Sequence, residues 1–172
     1  MTPKERVFAA LQHREPDRVP TGEFATDYSV IEQALGRKTY CRAKRRYHEA
    51  LWDGRRDEVV ESMKRDTVEF ALAMELDMVP VNLVPHRDFP FVKPKQLDDD
   101  TWEDERGNLL KYSHGTEDIG LWRVGDKPAP ASDFQLPPEP DESELELVRY
   151  VVERLGETHF LFCRPGRFGG LG

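Results

Sequence analysis

The stretch MTPKERVFAALQHREPDRVP, residues 1–20, decides the reading of the fold. Thr2 is a helix cap, and Pro3 fits the first turn, where its missing N–H would be unpaired anyway. Val7, Ala9, Ala10 and Leu11 make a short apolar stripe at helical spacing. Pro16 stops the helix and pushes Glu15 towards extended backbone. Asp17-Arg18 then lead into Val19-Pro20 and an expected first strand over 18–25. A short helix over 3–13 therefore closes one end of something, and a strand starts at once.

Outward from there, helix and strand alternate. A helix over 29–35 is capped by Asp27 or Ser29 and stopped by Gly36. A second runs from Thr39 to Trp52. A third runs from Asp57 to Leu76, with Val60, Met63, Thr67, Phe70 and Met74 recurring at three- and four-residue steps and Lys64 and Arg65 facing solvent. It feeds DMVPVNLVP, residues 77–85, an apolar run suited to a parallel strand covered on both faces. Residues 101–125 break the alternation. Their turn ERGN and flanking apolar pairs predict a β-meander, with Trp102, Tyr112 and Trp122 packing or forming a contact patch. Residues 127–140, with five prolines, read as a linker. A helix from about 141 to Leu155, with Leu145, Val148, Val152 and Leu155 inward, precedes a strand at 159–165.

The chain has 172 residues and a formal net charge of −8. Its size suits one domain with a real core. The negative charge argues against nucleic acid as a partner. Cys41 and Cys163 fit no metal spacing and read as free thiols of a reducing cytosol. No apolar stretch reaches the length of a membrane span. The expectation is a cytoplasmic protein with a small-molecule substrate.

KERVFAALQHREPDRVP (4–20) resembles the opening of the uroporphyrinogen decarboxylase superfamily, and the resemblance continues through ALWDGRRDEVVESMKRDTVEFALAMELDMVPV (50–81). That family comprises TIM barrels: haem-pathway decarboxylases and cobamide-dependent methyltransferases. The resemblance implies an α/β chain forming the N-terminal part of an incomplete (β/α)8 barrel, with the meander as an insertion. A complete barrel needs about 250 residues, so the chain reads as a fragment, inactive alone, of a decarboxylase-like or methyltransferase-like parent. The alternative is a non-catalytic half-barrel that assembles with a partner half or with itself. No cofactor is expected in this chain; a methyltransferase-like parent would add zinc and a cobamide partner. The haem-pathway enzymes carry an arginine-rich MRQAGRY motif after strand one and an aspartate in an FSD context after strand two. Here those stretches are GEFATDYS (22–29) and VPVNLVPH (79–86), which argues against uroporphyrinogen as substrate.

Barrel active sites lie at the C-terminal ends of the strands. That rule selects Glu23, Asp27 and His86 as acid–base candidates, and Asn82, Arg164 and Arg167 as binding residues. The basic run Arg42, Lys44, Arg45, Arg46 reads as a solvated helix face, or else as an anion or partner contact.

Overall fold

The computed structural model describes residues 1–127 and 141–163. The expected linker, beyond its first residue, and the Arg164 and Arg167 loop lie outside the described residues. Helix α1 (Pro3–Leu11) begins in a capping box: the Glu5 amide donates to Thr2 Oγ1 at 3.2 Å and the Thr2 amide donates to the Glu5 carboxylate at 2.8 Å. The helix ends two residues earlier than its sequence suggests, because His13 turns to φ 56°.

The expected strand over 18–25 shrinks to a single parallel bridge between Gly22 and Met78. Pro20 has no N–H to give a ladder. The Thr21 carbonyl accepts instead from the amides of both Asp77 (2.8 Å) and Met78 (3.0 Å). The backbones approach so closely that a Cβ on Gly22 would sit 2.7 Å from Met78 Cβ. Gly22→Ala is therefore expected to cost about 1–3 kcal/mol, read as a lowered urea midpoint. Wild-type stability would show that this approach is soft.

Helix α2 (Tyr28–Leu35) is capped by Asp27 and closed by Gly36 at φ 67°. Helix α3 (Arg45–Trp52) starts six residues later than Thr39, because Arg42 (φ 51°) and Lys44 (φ 52°) break the helical path. Helix α4 (Arg56–Ala73) leads into strand β1 (Met78–Val81), helix α5 (Glu146–Leu155) into strand β6 (Phe160–Cys163). β1 and β6 pair in parallel from Met78–Phe160 to Val81–Cys163, with the Gly22 bridge on the other edge of β1. Among the described residues this sheet is open, so the fold is mixed α/β with no closed barrel.

Helix α4 is the hub. Val60, Val68 and Ala71 pack on Val79, Val81, Leu147, Val151 and Leu155. Phe70 packs with Ile31 and Cys41, and Val59 packs with Ala50 and Leu51. Met63 touches all three groups. Each such apolar side chain contributes about 1.5–3 kcal/mol on burial. Contact on several sides buries more of α4 than one stripe. Lys64, expected in solvent, lies between α4 and α5 and donates to Glu61 (2.6 Å) and Glu146 (3.2 Å). The inward face of α5 is also corrected. Leu147, Val151 and Leu155 are buried, Val148 is half-buried and Val152 is exposed. Both stripes obey helical spacing, and only the position of the sheet selects between them.

The other face of the parallel sheet carries Met78, Pro80, Phe160 and Phe162, since side chains alternate along a strand. Phe8 meets Phe160 edge-on at 5.7 Å and Phe24 stacks on Phe162 at 6.0 Å. Both Phe8 and Phe24 remain exposed.

Between β1 and α5, strands β2 (Lys95–Gln96), β3 (Thr101–Glu103), β4 (Leu109–Ser113) and β5 (Asp118–Arg123) form the expected antiparallel meander in that order. Its 104–108 turn is tied by Asp104, whose carboxylate accepts from the amides of Arg106 (2.8 Å) and Asn108 (2.9 Å), with Gly107 at φ 77°. No helix among the described residues is long and apolar enough to cross a membrane.

Candidate functional site

The N-terminal ends of the parallel strands are occupied by a charge network, not by a cleft. Asp77, fully buried, precedes β1. Arg6 donates to it, as does Arg18 at 2.6 and 3.1 Å and the Thr21 amide at 2.7 Å. Arg6 also forks onto Asp17 at 2.6 and 2.9 Å. Burial alone would raise the Asp77 carboxyl. The Thr21 amide and the Arg6 and Arg18 guanidiniums outweigh it and hold the group below its ordinary range. The charged residues of the opening motif thus build scaffold.

The opposite ends hold a cavity of about 130 Å³ between α2, α4 and the sheet. Ile31, Phe70, Ala71, Val79 and Leu147 give it apolar walls. Glu23, Thr26, Arg42 and Asn82 stand among its polar lining. The structure so brings together Glu23, from the segment after the Gly22 bridge, and Asn82, the first residue after β1. Glu23 accepts from the Ala25 amide at 3.1 Å. Cys41 also lines the space, but burial pushes its thiol up to about 11, which keeps it uncharged and a poor nucleophile near neutral pH. Asp66 is a buried carboxylate in the wall, where donors from Arg65, Ser62 and Arg37 overcome the burial that would raise it and keep it low.

The other expected residues lie elsewhere. Asp27 caps α2, accepting from the Ser29 amide at 3.0 Å, and pairs with Lys44 at 2.6 Å. The Lys44 bond, with the Ser29 amide, lowers its carboxyl to about 2, so it stays ionised at neutral pH. His86 does not line the cavity. Its Nδ1 accepts from the Asp88 amide at 2.9 Å, and Nε2 faces Asp141 at 2.6 Å. Beside it, Arg56 and Arg87 bind Glu146 at 2.9 Å each and tie the loop after β1 to the start of α5. Arg164 and Arg167 fall outside the described residues.

Of the basic run, three members are engaged. Lys44 pairs with Asp27; Arg45 pairs with Glu49 at 2.8 Å and lies over Trp102 and Tyr112; Arg46 pairs with Glu32 and lies over Tyr28. Arg42 has no ion pair or hydrogen bond among the described residues, and its backbone turn sets it apart from the helix. Sequence reasoning did not single it out from the run, because nothing there distinguishes its four cations. No three His, Cys, Asp or Glu side chains among the described residues gather to hold a metal.

Comparison with family models, with curated proteins and with solved structures returns no match.

Proposed function

We propose that the chain is the N-terminal part of a uroporphyrinogen decarboxylase-like barrel. Its complete enzyme acts on a small or carboxylated substrate by decarboxylase-like or methyltransferase-like chemistry. The observation that carries this reading is the order of the parallel segments. Gly22, β1 and β6 lie side by side in chain order, and α1 crosses beneath them through Arg6 on Asp77 and the Lys4 amide on the Thr158 carbonyl at 2.8 Å. Successive neighbouring parallel strands joined through helices are the repeating unit of a (β/α) barrel. Glu23 moves a proton at the strand ends, Asn82 orients the substrate, and Arg164 and Arg167, next after β6 in sequence, bind a carboxylate. The test is the coding sequence beyond residue 172. Further βα units, expressed joined to this chain and assayed for CO2 release and for methyl transfer, are expected to give an active enzyme. A joined product without either activity would sink the reading.

A second reading is a non-catalytic half-barrel that associates with a partner half or with itself. The exposed Phe8 and Phe24, packed on Phe160 and Phe162 of the parallel sheet, favour it. Sedimentation at micromolar concentration would show assemblies. A monomer that binds no hydrophobic dye would exclude it.

A further inference from the structure

The cavity between α2, α4 and the sheet has apolar walls from Ile31, Phe70, Val79 and Leu147, and the exposed Glu23, Arg42 and Asn82 stand among its polar lining. Two carboxylates line it. Asp66 is neutralised by Arg37 and Arg65, and Glu23 accepts from the Ala25 amide. Three donors are left over. The Arg42 guanidinium, the Thr26 hydroxyl and the Asn82 amide have no hydrogen-bond partner among the described residues. A guanidinium fork with a hydroxyl and an amide beside it matches a carboxylate. The volume of about 130 Å³ is close to the size of apolar cavities that hold benzene. Ile31, Phe70 and Val79 offer such a body only carbon and leave its charged end to the polar lining.

We infer that this cavity binds a small monocarboxylate with an apolar body about the size of one benzene ring, the carboxylate held by Arg42, Thr26 and Asn82. The inference rests on the preceding reading only in placing a ligand at the Glu23–Asn82 rim. It requires no turnover and no further βα units, so the two can fail separately.

Titration calorimetry of the chain with phenylacetate, benzylamine and toluene tests it. Phenylacetate is expected to bind saturably, at one site per chain. Benzylamine and toluene should bind at least about tenfold more weakly, the loss expected when a charge-assisted hydrogen bond is missing. Arg42→Gln should weaken phenylacetate by about tenfold or more without lowering the melting temperature, because Arg42 is exposed and unpaired. Arg42→Lys should recover part of the affinity, the charge staying and the fork going. Glu23→Gln should tighten phenylacetate by removing an anion from the polar lining. Equal affinity for phenylacetate and benzylamine, an Arg42→Gln variant that binds like the parent, or no binding at millimolar phenylacetate would each overturn the inference.

Discussion

Asp77→Ala is expected to lower stability by about 3–5 kcal/mol, the range for removing one partner of a buried ion pair. For a chain of this size that is a fall in Tm on the order of 10 °C. The reason is what the substitution leaves behind. Arg6 is buried, and its guanidinium bridges Asp77 and Asp17. Arg18 and the Thr21 amide converge on the same carboxylate. Without it, the buried Arg6 is left with Asp17 as its carboxylate partner, and Arg18 and the Thr21 amide lose the carboxylate they share. The consequence is topological as well as energetic. This carboxylate joins α1, the segment leading to Gly22 and the start of β1. Asp77→Asn separates charge from shape. The amide preserves volume and one acceptor oxygen but not the negative charge, so it should recover only a fraction of the loss. A thermal melt of Asp77→Asn that overlays the parent would show that the charge is not what holds these elements together.

The same network sets a direction for pH. The folded Asp77 carboxyl sits below its ordinary value, so folding favours the ionised form. Its contribution is fully present above the unfolded carboxyl value of about 4. It is lost as pH falls through the lower folded value. Asp66 and Glu146 are displaced in the same direction. Urea midpoints should therefore fall between pH 5 and pH 2, and the slope should be shallower in Asp77→Ala.

Local signals carried much of this fold. Thr2 with Pro3 and Asp27 with Gly36 marked helices that are found there, and the apolar run marked β1, which closes at Val81 and does not run on to residue 85. Those signals depend on chemistry within a few residues. What was hidden depends on neighbours. Pro20 did not read as the end of a strand, because its missing amide matters only once Met78 lies beside it. The Leu145 and Leu147 stripes of α5 are equally periodic, and the sheet chooses between them. Lys64 read as a solvent residue until Glu146 came across from another helix. At the candidate site, the strand-end rule selected Glu23 and Asn82, and both line the cavity because one follows the Gly22 bridge and the other follows β1. It also selected His86, which turns away to Asp141, and it passed over Arg42, which reaches the same rim from the turn before α3.

Trp102→Ala is expected to cost about 3–5 kcal/mol, whereas Trp122→Ala should cost at most about 1 kcal/mol. Sequence placed both indoles, with Tyr112, either in packing or on one contact patch. The structure separates them. Trp102 is 2 % exposed, clustered with Leu110 and Ile119, and its ring meets Trp52 of α3 at 6.0 Å. Trp122 is 68 % exposed, with only the Lys111 ammonium placed over its ring at 4.9 Å. Removing Trp102 empties the space where the meander meets α3, and the Arg45 guanidinium loses one of its two aromatic surfaces. Chemical denaturation of the two variants reads the difference directly. Because Arg45 belongs to the turn that follows Arg42, the Trp102 variant should also loosen that turn and weaken phenylacetate binding, while the Trp122 variant leaves it unchanged. A similar loss of stability from both substitutions would mean that the face carrying Trp122 is covered in solution.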